Sequence, residues 1–450
     1  MNVEEYVTGV RKGEISVKEN IKKILNEAKK INKEYNYFNV ISDDALTKAE
    51  EVEKNRKGKL AGLPISVKDC VCVKGMESRA GSLILKGYKP VINATVIERL
   101  EKEGAIIIGK TSQDEFGFGS FSTNTDNIPK NPLDKMRSCG GSSGGAAGFT
   151  RKTENVHAAI AESTGGSIAC PASFCGVAGL TPTYGVVSRY GLIDYANSLD
   201  KIGIIGKNVK DTKLVFDVIK GKDEKDSTSV DADFKDSKVK KIAVIKESLN
   251  VDKEIKEIVL SKVGKVEQVS LPLVSKYALS CYYLISMSEA STNLAKYCGL
   301  RYGESLELNG NFNEYFSKVR SKFFTKESKR RIILGTFARM SGFRDAYYLR
   351  AMKLRTLIIE EYKKLFREYD ILVSPTMPIV APKFSDIKKL SPMENYMMDI
   401  LTVGPNLAGL PHLSVNIGTK DKMPVGLMLI GDHFAEEKLI VKGEELENRD

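Results

Sequence analysis

LPISVKD at residues 63–69, TVIERLEKEG at 95–104 and AIIIGKT at 105–111 set the pattern of the chain. They are a short apolar run, a helical repeat and a second, β-branched run. Strands of four to eight residues alternating with longer helical stretches are the mark of an α/β fold. Upstream, residues 1–55 carry Val17, Ile21, Ile24, Leu25 and Ala28 at helical spacing between Lys and Glu. This predicts two or three amphipathic helices, an N-terminal helical cladding (1–55) packed on a main domain (56–450). Downstream, residues 117–191 are dense in Gly, Ser, Thr, Pro and Asn yet keep repeated apolar positions and few charges. A flexible linker would lack those apolar residues, so the stretch reads as buried loops around a site. The charged segment at 221–241 reads as a surface connection. After it come the strand KIAVIK, a helix at 252–264, the strand KVEQVSL and long helices near 274–297 and 342–367. The strand DILVSP, a loop region to 411 and the strands HLSVNIG and VGLMLIG complete the chain.

With 450 residues, 42% hydrophobic and 28% charged, the composition is that of a folded globular protein. The formal charge of +11 suits an anionic partner, but the lysines are scattered along helices, as on ordinary solvated faces. Seven cysteines, at 70, 72, 139, 170, 175, 281 and 298, lack the spacing of a zinc site or a secreted disulfide framework. They read as reduced thiols, and no metal site is expected. The N-terminus is acidic and amphipathic, unlike a secretory signal, and no apolar run reaches membrane-spanning length, so a cytoplasmic location is expected.

Nucleophilic hydrolysis needs an activated oxygen or sulfur, a base and donors for the oxyanion. The three histidines, His157, His412 and His433, sit in contexts that suit structural or exposed roles better than catalysis. Serine is more informative. GGSSGG at 140–145 and STGGS at 163–167 embed hydroxyls in glycine, which allows positive φ and close backbone approach. The N–H groups of Thr164, Gly165, Gly166 and Ser167 can then converge on an oxyanion. Neither run carries the Lys of a phosphate-binding loop or the spacing of a dinucleotide fingerprint. Lys68 ends the apolar run PISV. A free lysine, with a pKa of ~10.4, is neutral about once in a few thousand molecules at pH 7, so a lysine base needs a dry pocket. Its alternative is a strand-end lysine paired with Asp69.

Taken together, GLPISVKD, GKTSQDEF, GGSSGGAAG and STGGSIACPASFCGVAGLTPTYGVVSRYGLI resemble the amidase signature family across nearly the whole chain. The resemblance implies a single α/β fold with a large mixed central β-sheet covered by helices on both faces. It also implies a triad in which Lys68 is the base, Ser143 the serine on a cis peptide bond that relays the proton, and Ser167 the acyl-enzyme nucleophile. Thr164, Gly165 and Gly166 would form the oxyanion hole. Segments 182–203, 288–303 and 329–358 resemble the glutaminase subunits of tRNA-dependent amidotransferases. That implies hydrolysis of glutamine to glutamate and ammonia, passed on within a heterotrimer with subunits B and C. Misacylated tRNA would bind mainly through the partner, and ATP and Mg²⁺ would be the partner's, with no cofactor in this chain. Free glutamine asks for a guanidinium at its α-carboxylate and a carboxylate at its α-ammonium. By resemblance these are Arg331 and Asp399. A stand-alone amidase on the same triad and a silent scaffold remain alternatives. The chain departs from the family at Cys70, Ser163, Ala169 and Cys170, where Asn, Asp, Arg and Gln or a small residue are common. Cys139 replaces the usual Pro.

Overall fold

The computed structural model describes residues 1–448. Its centre is one mixed sheet of eleven strands flanked by helices, in the order β1-β3-β2-β4-β6-β5-β10-β11-β9-β7-β8. In chain order the strands are β1 Phe38–Ile41, β2 Pro64–Lys68, β3 Ile106–Thr111, β4 Ala158–Ser163, β5 Ala178–Thr181 and β6 Lys201–Gly206. They continue with β7 Ile242–Ile245, β8 Glu267–Val269, β9 Ile371–Pro375, β10 His412–Lys420 and β11 Met423–Gly431. Strands β3, β2 and β4 run parallel, as do β9, β7 and β8, while the pairs between β4 and β9 are antiparallel. Strands β2, β3 and β4 are buried along their whole length, which explains their continuous apolar runs in place of alternation.

The N-terminal region forms the three expected helices, Val3–Lys12, Val17–Tyr35 and Ala45–Asn55, but it is more than cladding. Its β1 pairs antiparallel with β3 and closes one edge of the sheet. The Gly- and Ser-rich region expected as loops also holds two buried helices, Gly144–Lys152 and Ala169–Cys175, around β4 and β5. Between residues 376 and 411 the expected loop contains three short helices, Phe384–Ile387, Pro392–Met397 and Val403–Leu407.

Helices Phe312–Phe323 and Lys326–Arg339 are not legible from apolar periodicity. The second explains why. Its buried positions are Glu327, Ser328, Arg331, Gly335 and Ala338, while Ile333, Leu334 and Phe337 are exposed. Gly335 is required there, because a Cβ would lie 1.8 Å from the Met287 carbonyl oxygen of helix Pro272–Asn293. Glu115 fixes the start of the helix, accepting from the Thr325 N–H (2.9 Å), the Thr325 hydroxyl (2.5 Å) and the Ser328 hydroxyl.

Ile160 lies at the centre of the fold, fully buried on β4 between Val67 of β2 and Ile204 of β6. Ile160→Ala is expected to cost about 2–5 kcal/mol through the cavity it leaves. A circular-dichroism melt checks this, and an unchanged unfolding midpoint would contradict the packing described.

Candidate active site

Parallel pairing brings the carboxyl ends of β2 and β4 to the same edge of the sheet, where α/β proteins place their sites. Val67 is level with Ile160, so Lys68 emerges beside Glu162 and the STGGS turn. Lys68 has no exposed surface. Its Nζ lies 2.7 Å from Ser142 Oγ, 2.8 Å from the Glu162 carbonyl oxygen and 2.8 Å from Glu162 Oε2. Pairing with Asp69 does not occur. That carboxylate accepts from Asn39 Nδ2 and from the N–H groups of Arg79 and Gly81. β2 ends at Lys68 and Asp69 lies in the turn that follows, where it meets these other partners.

The hydroxyl that meets Lys68 belongs to Ser142, which corrects the expectation for Ser143. The cis peptide bond is also one residue earlier than expected, at Gly141-Ser142. Ser143 is the N-cap of helix Gly144–Lys152; its N–H donates to the Ser167 carbonyl (3.3 Å) and its hydroxyl to the Glu162 carbonyl (3.2 Å). Its hydroxyl thus shares the Glu162 carbonyl with Lys68 and makes no hydrogen bond to Nζ. Ser167 is 6% exposed whereas Lys68 and Ser142 are at 0%, so it is the member of the set open to an arriving molecule.

The N–H groups of residues 164–167 have no hydrogen-bond acceptor among the described residues outside strand pairing, which leaves them available to an anion. Glycine is needed here for close approach; neither Gly165 nor Gly166 has positive φ. A Cβ on Gly165 would lie 2.7 Å from the Tyr282 ring, and one on Gly166 2.3 Å from Thr402 Oγ1. Asn406 Nδ2 holds the Gly165 carbonyl from the other side. The Thr164 hydroxyl lies 2.8 Å from both Glu162 Oε1 and Asp200 Oδ1.

Arg331 and Asp399 also come together. Arg331 is buried; its Nε bonds Glu327 Oε1 (2.8 Å) and its Nη1 the Tyr195 hydroxyl (2.7 Å). The rings of Phe118, Tyr283, Tyr396 and Tyr195 surround the guanidinium at 5.0–5.7 Å. Arg330 is 40% exposed and pairs with Glu327 on the outside, which separates the two neighbours. Asp399 accepts from the Ser120 hydroxyl (2.7 Å) and the Tyr283 hydroxyl (2.6 Å), so Tyr283 links it to the arginine. Burial raises the Asp399 carboxyl above the usual range, against those two hydrogen bonds and the arginine charge. A cavity of about 870 Å³ opens against Ser120, Glu327, Arg331 and Tyr396. Lys68, Ser142 and Ser167 do not line it. They connect to it through Ser120, whose carbonyl accepts from the Gly141 N–H (2.8 Å).

Sequence reasoning misses Ser142, Glu162, Ser120, Tyr283 and Tyr195. Only Glu162 carries a signal, as a carboxylate closing an apolar strand immediately before STGGS. The remaining candidates are inert. Burial pushes the thiols of Cys139 and Cys170 well up, and Cys170 Sγ donates to the Ser120 carbonyl. His157 is buried against Ser66 and Thr150, and burial lowers it to about 3. Among the described residues no cluster of three His, Cys, Asp or Glu could hold a metal, and no helix is long and apolar enough to cross a membrane.

The Amidase family model matches residues 19–440. Similar chains include the A subunit of glutamyl-tRNA(Gln) amidotransferase from Archaeoglobus fulgidus, 46% identical over 90% of this chain and 90% of that one. The protein of the same description from Geobacillus thermodenitrificans is 43% identical over 96% and 94%. Among solved structures, the A subunit of the Thermotoga maritima glutamyl-tRNA(Gln) amidotransferase aligns with a TM-score of 0.79 at 33% identity, over 98% of this chain and 92% of that one. The crystal structure of an amidase aligns with a TM-score of 0.83 at 25% identity over the whole of both chains.

The geometry separates the two adjacent serines by experiment. A proton relay contributes about 10²–10⁴ in rate, so Ser142→Ala is expected to lose amide hydrolysis by that factor. Ser143→Ala should lose less than about ten-fold, as its hydroxyl meets only a carbonyl. Equal losses in steady-state rates would refute the distinction.

Proposed function

The chain belongs to the amidase family, and we propose that within it Ser167, Ser142 and Lys68 carry out glutamine hydrolysis. The protein is the glutaminase subunit of a tRNA-dependent amidotransferase, in keeping with relatives named as the A subunit of glutamyl-tRNA(Gln) amidotransferase at 40–46% identity over most of the chain. The single observation that carries the mechanism is the 2.7 Å contact between a fully buried lysine and Ser142.

Ser167 Oγ attacks the carboxamide carbon of glutamine and gives its proton to Ser142, whose own proton passes to the neutral Lys68 amine. The free N–H groups of Thr164, Gly165, Gly166 and Ser167 receive the oxyanion. Lys68 then returns its proton through Ser142 to the leaving nitrogen, ammonia departs, and water hydrolyses the glutamyl-serine ester. Arg331 holds the α-carboxylate. With Nε–H and one Nη1–H engaged, the second Nη1–H and both Nη2–H bonds are the donors left for it. Asp399 holds the α-ammonium, oriented by Ser120 and Tyr283.

The complex is the heterotrimer with subunits B and C, with ATP and Mg²⁺ in the partner and misacylated tRNA bound mainly there. Relatives named as one subunit of several support this, as do the exposed apolar side chains Ile333, Leu334, Phe337, Met340 and Leu357. Seven cysteines, all free thiols, suit a reducing, cytoplasmic compartment.

Ser167→Ala is expected to abolish ammonia release from glutamine while leaving amidation by added ammonium intact, because the nucleophile serves only ammonia production. Retained glutaminase activity in the purified complex would refute the assignment. A second prediction follows from Asp399. Its raised carboxyl must ionise to hold the α-ammonium, so glutamine affinity should fall as pH drops below the raised value and recover above it. Asp399→Asn should raise KM by about ten-fold or more, the loss of a buried charge-assisted bond, and flatten that dependence. A KM profile against pH for both proteins checks it.

A further inference from the structure

The proposed base is not alone in its pocket. Lys68 Nζ has three neighbours, Ser142 Oγ at 2.7 Å and two oxygens of one residue, the carbonyl and Oε2 of Glu162, each at 2.8 Å. A neutral amine has two N–H bonds and one lone pair. If both N–H bonds go to Glu162, the lone pair faces Ser142, the orientation a base requires. Once the proton arrives, all three N–H bonds of the lysinium find acceptors at the same positions, and the carboxylate balances the new charge.

Hydrogen counting beyond Glu162, taken together with the burial of Asp200, bears on where the charge sits. The single Thr164 hydroxyl proton lies between Glu162 Oε1 and Asp200 Oδ1, both at 2.8 Å. If Thr164 donates to Glu162, the Asp200 contact needs a proton from Asp200. Asp200 is fully buried, and burial together with the charge of Glu162 raises its carboxyl well above the usual range. Its Oδ2 meanwhile accepts from the N–H groups of Tyr195 (2.9 Å) and Ala196 (3.0 Å), the latter shared with Oδ1 (3.0 Å). Protons therefore point along the line Asp200, Thr164, Glu162, and the negative charge rests at the lysine.

We propose that Glu162 is a positioning residue for Lys68, turning the amine lone pair onto Ser142 and holding a carboxylate against the lysinium formed during catalysis. This deepens the glutaminase reading and rests on Lys68 being the base. Glu162 acts through Lys68 and does not touch substrate. Other ionisable groups act on the pair or its carboxylate line. They are Cys70 from the turn after β2, Asp114, and Asp200 with Arg189. Burial keeps Cys70 a neutral thiol and brings Asp114 up to about 6. Asp114 is present in wild type and both variants, so the comparison of E162Q with E162D reads the charge at residue 162.

The test is the pH profile of glutamine hydrolysis by the assembled amidotransferase carrying Glu162→Gln, with ammonium-dependent amidation as the check on folding. An amide keeps acceptors for the amine but removes the charge. The acidic limb of kcat/KM is expected to move down by about one pH unit or more, as for loss of an adjacent opposite charge. Plateau kcat should fall about ten-fold or more, while KM for glutamine stays within about two-fold. Glu162→Asp, which keeps the charge, should retain the wild-type limb with a lower kcat. A limb unmoved in E162Q overturns the proposal. Should E162Q fail to assemble, E162D decides, and a displaced limb or an unchanged kcat in it overturns the proposal. Failure of the glutaminase reading shows separately, as hydrolysis surviving in Ser167→Ala.

Discussion

A lysine without exposed surface at the end of a buried strand is the constraint on which the site depends. Removing an ammonium from water costs several kcal/mol unless it is paired or deprotonated. Lys68 meets that demand with one carbonyl, one carboxylate and one hydroxyl. Each acceptor comes from a segment that the sheet topology brings to one place. β2 supplies the lysine, parallel β4 supplies Glu162, and the turn into helix Gly144–Lys152 supplies Ser142. A one-residue slip of β2 against β4 would move Nζ away from Glu162 and leave a buried charge without a partner. Register and chemistry are thus specified by the same contacts.

The substrate side is assembled differently, from segments far along the chain. Arg331 comes from helix Lys326–Arg339, Tyr283 from helix Pro272–Asn293 and Asp399 from the segment after helix Pro392–Met397. Their placement depends on Glu115, which takes up both hydroxyls and the leading N–H at the start of the arginine's helix. Glu115 follows β3 closely, so the same parallel strands that orient Lys68 also anchor the helix that presents the guanidinium.

The legibility of these parts in the sequence follows from the physics of each. The parallel strands are readable because burial on both faces leaves uninterrupted apolar runs. Helix Lys326–Arg339 is not, because its inward face is polar and its outward face apolar, the reverse of the usual pattern. β1 is hidden as four residues between two helices, where its pairing with β3 leaves no local mark. Ser167, Arg331 and Asp399 are singled out by resemblance, and Tyr283 brings the last two together. Ser142 and Ser143 are equivalent in GGSSGG, since the motif is symmetrical about the pair, and only the path of the backbone into the helix distinguishes them. Glycine at 165 and 166 suggests backbone freedom, yet it is the Tyr282 ring and Thr402 that leave no room for a Cβ.

One side chain connects the two halves of the site. The Tyr195 hydroxyl accepts from Arg331 Nη1 and donates to Ser286 Oγ (3.0 Å), while its backbone N–H donates to Asp200 Oδ2. Its ring packs edge-on against Phe118, itself 5.0 Å from the guanidinium. Tyr195, which meets the Arg331 guanidinium, therefore also holds Asp200 at the far end of the line from Lys68. Gly117 lets this happen, since the position of its missing Cβ lies 3.5 Å from Ser142 Oγ, 3.6 Å from Glu162 Oε2 and 3.7 Å from the Tyr195 ring. A longer side chain there would push on proton relay, carboxylate and tyrosine at once. With φ at +79°, the backbone at this point also favours glycine. Arg331 and the line from Lys68 to Asp200 thus share one packed unit, so a shift in either is felt by the other through Tyr195.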